Sequence, residues 1–141
     1  MIVFDTNVVS ELMRTAPDAK VRAWFTGQRR TTLFTTSITK AEMLYGIALL
    51  PVGRRKTALA DAAERMFARV FASRMLAFDA AAATHYAEIL MARRRAGKPM
   101  ETLDAQIAAT ALTAGAAVAT RNLADFAGWA GCHRSVERDL T

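Results

Sequence analysis

The chain has 141 residues, 52% of them hydrophobic and 23% charged, with three prolines, which suits one ordinary folded core and excludes both a disordered segment and two domains of usual size. Nineteen Lys and Arg against 13 Asp and Glu give a formal net charge of +6, a balance that favours a polyanionic partner. The one cysteine, Cys132, excludes an intramolecular disulfide, and no Cys or His spacing assembles a zinc site.

The opening Met1-Ile2-Val3-Phe4-Asp5 carries no basic segment followed by a long apolar one, so no secretory signal is predicted and a cytoplasmic location is expected. The longest uncharged stretch, Ala105 to Thr120, includes Gln106, Gly115 and several threonines and falls short of a membrane span.

Taken in chain order, Ile2–Phe4 is a short apolar strand ending at Asp5, and Asn7–Met13 then places Val8, Val9 and Leu12 at helical spacing. A second helix is predicted over Ala19–Gln28, with Val21, Trp24 and Phe25 on one side and Gly27 near its end, followed by Arg29 and Arg30 in a loop. Leu33–Ile38 reads as a strand that runs into a helix beginning Thr39-Lys40-Ala41-Glu42. Pro51 and Gly53 mark the next turn, and Leu59, Ala62, Ala63, Met66, Phe67, Val70 and Phe71 then fall in one amphipathic stripe. Met75–Phe78 is a third strand, and Ala80–Arg95 a helix with Tyr86, Ile89 and Leu90 that ends in Arg93, Arg94 and Arg95 before Gly97 and Pro99. Leu103–Ala114 is an alanine-rich helix closed by Gly115, and Ala116–Ala119 a last short strand leading to Thr120-Arg121-Asn122. Strands separated by helices or helix pairs require crossover connections, so the fold class is α/β: one three-layer α/β/α domain over residues 1–141 with a mostly parallel central sheet.

Three carboxylates stand where such a fold gathers ligands: Asp5 after the first strand, Glu42 after the second, and Asp104 at a helix start. Clustered carboxylates raise one another's pKa unless a cation offsets their charge. Mg2+ and Mn2+ suit oxygen donors, keep several waters and support hydrolysis of a phosphodiester. Each acid also has an ordinary explanation, and spacing alone does not decide between them. Thr39-x-x-Glu42 fits a capping box, Asp104 complements a helix dipole, and Asp5 suits a helix cap.

Four blocks together carry a family resemblance: Val3-Phe4-Asp5-Thr6-Asn7; Thr39-x-x-Glu42-x-x-x-Gly46; Leu103-Asp104-Ala105-Gln106-Ile107-Ala108-Ala109-Thr110-Ala111; and Ala119-Thr120-Arg121-Asn122-Leu123-Ala124-Asp125-Phe126. In this order, over nearly the whole chain, they resemble a PIN domain, most closely the bacterial VapC and FitB type of toxin. The resemblance implies a ribonuclease that uses Mg2+ or Mn2+ held by Asp5, Glu42 and Asp104, with Thr6 bonding a carboxylate or the attacking water. Many PIN domains carry Asp where this chain has Asn122. Asp125 is therefore the candidate for the fourth acidic place, while the Asn122 carbonyl remains able to bind a metal or a water. An RNA substrate, a VapB-like antitoxin covering the site and a homodimer are the partners the family implies.

Among the basic residues, Arg93, Arg94, Arg95, Lys98 and Arg121 are candidate RNA contacts, and Arg54, Arg55 and Lys56 form a second basic run. For these runs the ordinary reading is a solvated helix end. His85 and His133 lack patterned partners and are expected to be structural or surface residues, and Trp24 and Phe25 to lie in the core or an interface. Two competing functions remain. One is a catalytically silent PIN fold binding RNA or protein, favoured by Asn122. The other is phosphotransfer through Asp5, disfavoured because Asn7 stands where a second acid is needed.

Overall fold

The computed structural model describes residues 1–121. Its sheet is built from β1 (Ile2–Phe4), β2 (Leu33–Thr36), β3 (Met75–Leu76) and β4 (Ala117–Ala119), in the spatial order β3-β2-β1-β4. Every pairing is parallel. The helices of the described residues are α1 (Thr6–Leu12), α2 (Ala19–Thr26), α3 (Ser37–Ala48), α4 (Arg54–Arg65), α5 (Ala80–Arg95) and α6 (Thr102–Thr113).

β1 is the centre of the molecule, and its residues alternate between the two faces as a strand requires. Phe4 points into one core, with the rings of Trp24, Phe25 and Phe71 at centroid distances of 5.3, 5.9 and 5.7 Å. Val8, Val21, Ile47 and Phe67 complete this layer, drawn from α1 to α4 and the turn after α4. Val3 points into the other core, formed by Ala82 and Ile89 of α5 and Ile107, Ala108 and Ala111 of α6. Two separate apolar layers across one parallel sheet make the α/β/α sandwich, and the alanines of α6 let that helix lie close against its neighbours.

Of the three glycines placed at helix ends by the sequence, Gly97 and Gly115 act there through positive φ, whereas Gly27 caps α2 at φ −76. Gly97 (φ +69) and Gly115 (φ +65) follow α5 and α6. The amides of Gly115 and Ala116 return to the carbonyls of Leu112 and Ala111 at 3.0 and 2.9 Å, closing a Schellman motif.

Several boundaries differ from those expected. The second strand ends at Thr36 rather than Ile38, because the Thr36 side chain accepts the Thr39 amide at 3.1 Å and starts α3 two residues earlier. The helix expected to Gln28 stops at Thr26, and Arg30–Thr32 forms a short 3-10 turn instead of a plain loop. The long amphipathic stripe is α4 followed by a π-helical turn over Met66–Val70, which rephases the chain so that Phe67 and Phe71 both reach the core. The third strand is shortened to Met75–Leu76, and the Phe78 amide turns towards the Ser37 hydroxyl at 3.4 Å.

Candidate active site

The C-terminal edge of the parallel sheet is where α1 and α3 begin, so the residues after β1 and β2 meet there. Asp5 follows β1 directly. Its amide donates to the Ala119 carbonyl at 3.1 Å, continuing the β1–β4 ladder by one residue. Its Oδ1 accepts the Val8 amide at 2.9 Å as the cap of α1. The side chain is only 2% exposed, which leaves a carboxylate at the mouth of the sheet with its orientation fixed by its own helix.

The next residue reaches across to the neighbouring strand-helix unit. The Thr6 hydroxyl donates to Glu42 Oε1 at 2.7 Å and lies 3.2 Å from the Thr39 hydroxyl. Thr39 is in turn contacted by Thr36 Oγ1 at 3.4 Å. A hydroxyl has one proton, so with Thr6 donating to Glu42, Thr39 is the donor towards Thr6. The result is a directed chain Thr36–Thr39–Thr6–Glu42, anchored in fully buried Thr36 and Thr39.

That chain corrects the capping-box expectation. The cap of α3 is Thr36, and Thr39 lies within the first turn, so Glu42 does not fold back on a Thr39 cap but spends one oxygen on Thr6. Asp5, by contrast, is both a helix cap and a site candidate. Neither Thr36 nor Thr39 stands out in the sequence as a site residue. A threonine immediately before a helix, such as Thr36, is a legible cap signal, but nothing in the sequence announces that Thr39 has a partner 33 positions away.

Asp104 occupies the first turn of α6, half-buried, after a cap residue, Glu101, whose side chain makes no capping bond. α6 packs against α3 and ends where β4 begins, so its start lies towards the edge of the sheet that carries Asp5. Among the described residues, no three His, Cys, Asp or Glu side chains form a ready-made cage for an ion. The donors at this edge are all oxygen, with one buried carboxylate and a second held by a hydroxyl. That chemistry fits a hard cation bound through one or two direct carboxylates and retained waters. Asn122 and Asp125 lie outside the described residues, as do Cys132 and His133.

A model of the PIN domain matches residues 2–127. The chain belongs to the PIN domain family. Over 126 residues, 89% of this chain, it is 46% identical to the plasmid stability protein StbB of Pseudomonas syringae pv. tomato, covering 91% of that protein. Over the same span it is 40% identical to a VapC ribonuclease of Sinorhizobium fredii, covering 90% of it. It is 38% identical to the toxin FitB of Neisseria gonorrhoeae, covering 91%. The solved structure of FitAB bound to a DNA fragment superposes with a TM-score of 0.83 at 39% identity, covering 89% of this chain and 88% of that one. The matched span includes the edge of the PIN sheet where Asp5, Thr6, Glu42 and Asp104 lie.

The basic candidates of this PIN domain separate on the structure. Arg93 is 3% exposed, turned into the protein from α5, whereas Arg94, Arg95 and Lys98 are exposed at the end of that helix. Arg121, just beyond β4, forms ion pairs with Glu11 at 3.4 Å and Asp18 at 3.6 Å. Glu11 also accepts the Asp18 amide at 2.8 Å and pairs with Arg14 at 3.3 Å. The Asp18 amide, with Arg14 and then Arg121 adding to it, holds the Glu11 carboxyl below the usual glutamate range against the opposing cost of burial. Asp18 is held low as well, chiefly by the Val21 and Lys20 amides that it caps.

The remaining expectations are local. His85 pairs with Glu88 at 3.2 Å on the surface of α5, and Trp24 is buried against Phe4. No helix of the described residues is long and apolar enough to cross a membrane.

Proposed function

We propose that this protein is the toxin of a toxin–antitoxin pair, a metal-dependent endoribonuclease that hydrolyses RNA phosphodiester bonds and is held in check by a cognate antitoxin. The observation that carries the reading is the 2.7 Å hydrogen bond by which Thr6, the residue next to Asp5, holds Glu42 of the following strand-helix unit at the same edge of the sheet. The similarity to a protein named VapC ribonuclease and another named toxin FitB supports the chemical class and the biological setting. The likeness to FitAB, solved on a DNA fragment, supports a partner protein.

In this reading Asp5, Glu42 and Asp104, with Asp125, hold Mg2+ or Mn2+, and Asn122 contributes its carbonyl. When bound there, such a cation would supply an activated water and offset charge on the phosphate. The work of the chain itself is positional. The Val8 amide fixes the Asp5 carboxylate, the Thr6 hydroxyl fixes that of Glu42, and the buried threonines hold Thr6. Exposed Arg94, Arg95 and Lys98 remain candidates for contact with the RNA backbone, and the functional unit is a homodimer in the cytoplasm. A groove of about 990 Å3 between the end of α1 and α4 has an apolar floor of Leu12, Leu59 and Met66 and a rim that includes Arg54 and Arg65. It suits an acidic amphipathic segment of the antitoxin.

The test is to purify the protein beside Asp5→Asn, incubate each with total RNA in magnesium, manganese or chelator, and follow discrete products. Cleavage by the wild type only with metal, and none by the variant, supports the reading. If both are inert yet bind RNA or partner equally, the silent-domain reading replaces it.

A further inference from the structure

We propose that a second cleft, bounded by α1, α4 and the end of β4, is a phosphate subsite for single-stranded RNA, formed by Arg14, Arg55 and Arg121. The proposal rests on the nuclease reading above and extends it from the reacting bond to the strand beside it.

The cleft, about 580 Å3, is lined by Asn7, Ser10, Glu11 and Arg14 together with Arg55 and Arg121. Asn7, Ser10 and Glu11 stand at i, i+3 and i+4 on one face of α1, Arg14 lies just past the end of that helix, and the face begins two residues after Asp5. A strand laid along it from the carboxylate edge meets exposed Asn7 and Ser10, then the arginines. The two clefts share Arg14, Arg55 and Leu59, but this one lacks Leu12, Met66 and Val70, which provide the apolar floor of the neighbouring groove.

Three arginines and one carboxylate, Glu11, line the cleft. Glu11 is already committed, because Oε1 accepts the Asp18 amide at 2.8 Å and Oε2 faces Arg14 and Arg121 at 3.3 and 3.4 Å. Glu11 therefore holds two guanidinium groups side by side, Asp18 shares Arg121 at 3.6 Å, and the three arginines still exceed these two acids by one positive charge. Arg55, exposed on α4, has no ion-pair partner among the described residues. Paired arginines with fixed separation suit the oxygens of a phosphate, which their planar forks grip in a defined geometry. A cleft of about 580 Å3 suits the backbone of a single strand rather than the width of a duplex.

The test uses a fluorescein-labelled single-stranded RNA oligonucleotide of mixed sequence, in chelator so that it stays intact. Anisotropy is followed at several salt concentrations for wild type, Arg55→Gln, Arg14→Gln and Arg65→Gln. The last removes a rim charge of the neighbouring groove alone. Arg55→Gln and Arg14→Gln are expected to weaken binding several-fold and to reduce the slope of log affinity against log salt by about 0.7 per lost phosphate contact, while Arg65→Gln matches wild type. Among the described residues Arg55 pairs with no acid, so its variant is expected to keep the fold even where Arg14→Gln disturbs Glu11. The subsite is overturned if Arg55→Gln binds RNA like wild type, if Arg65→Gln loses as much, or if only affinity for a partner protein falls. Binding in chelator needs no turnover. A protein that fails to cut RNA but grips it through these arginines sinks the nuclease reading alone, and one that cuts while Arg55→Gln binds normally sinks the subsite alone.

Discussion

Thr6 donates its hydroxyl proton to Glu42 at 2.7 Å, so the first helix holds the carboxylate of the third. The pair lies one residue beyond Asp5, whose own carboxylate is tied to the Val8 amide. Loss of the hydroxyl therefore frees Glu42 without removing any acid from the site. Thr6→Val is expected to lower ribonuclease activity about 10- to 100-fold, the usual effect of removing the hydrogen-bond partner of a metal ligand. Thr6→Ser should restore most of it. Steady-state cleavage of a labelled RNA, together with the metal concentration giving half-maximal rate, checks both; equal activity for the Val variant would show that the bridge is structural.

Asp5 has two roles that different substitutions separate. Asp5→Asn keeps an oxygen for the Val8 amide and should fold normally while losing metal-dependent cleavage. Asp5→Ala loses the cap as well and should be less stable by about 1 kcal/mol. Urea denaturation of both variants, read against their activities, tests the separation.

Phe4 is buried and ringed by Trp24, Phe25 and Phe71. Phe4→Ala opens a cavity in the layer that carries α1 to α4, and the expected cost is about 3–5 kcal/mol, a large share of the total stability of a domain this size. Thermal unfolding should show a steep fall in midpoint. A change of a degree or two would mean that the surrounding rings collapse into the space.

The cluster of Glu11, Asp18 and Arg121 sets an acid limit. Both carboxyls are held below their ordinary values. A group lowered on folding stabilises the protein above its unfolded pKa, and that contribution is lost as pH falls through the folded one. Stability should therefore be level above the ordinary carboxylate range and decline below about pH 4. Glu11→Gln should be less stable at neutral pH and show a shallower acid decline. Urea midpoints from pH 7 down to acid conditions read this directly, and parallel curves for the two proteins would remove Glu11 from the account.

The α/β class, the order of strands and helices, and the placing of Asp5 after the first strand and Asp104 at a helix start were legible in the sequence, because they rest on local periodicity and on residue types at element ends. Gly97 and Gly115 could likewise be read as helix terminators, since positive φ is a local demand. Boundaries such as Thr36 against Ile38 were not, because the choice between extending a strand and capping a helix depends on which amide the side chain finds. The role of Glu42 was undecided in sequence for the same reason. A Thr-x-x-Glu pattern satisfies a capping box equally well, and only the packing of α1 beside α3 supplied Thr6 as its donor. Side-chain direction separated Arg93, turned inward, from Arg94 and Arg95, and the long-range return of β4 brought Arg121 to Glu11 and Asp18. Local propensity is written residue by residue along the chain, whereas contacts between distant residues exist only after the parallel sheet has brought its crossovers together.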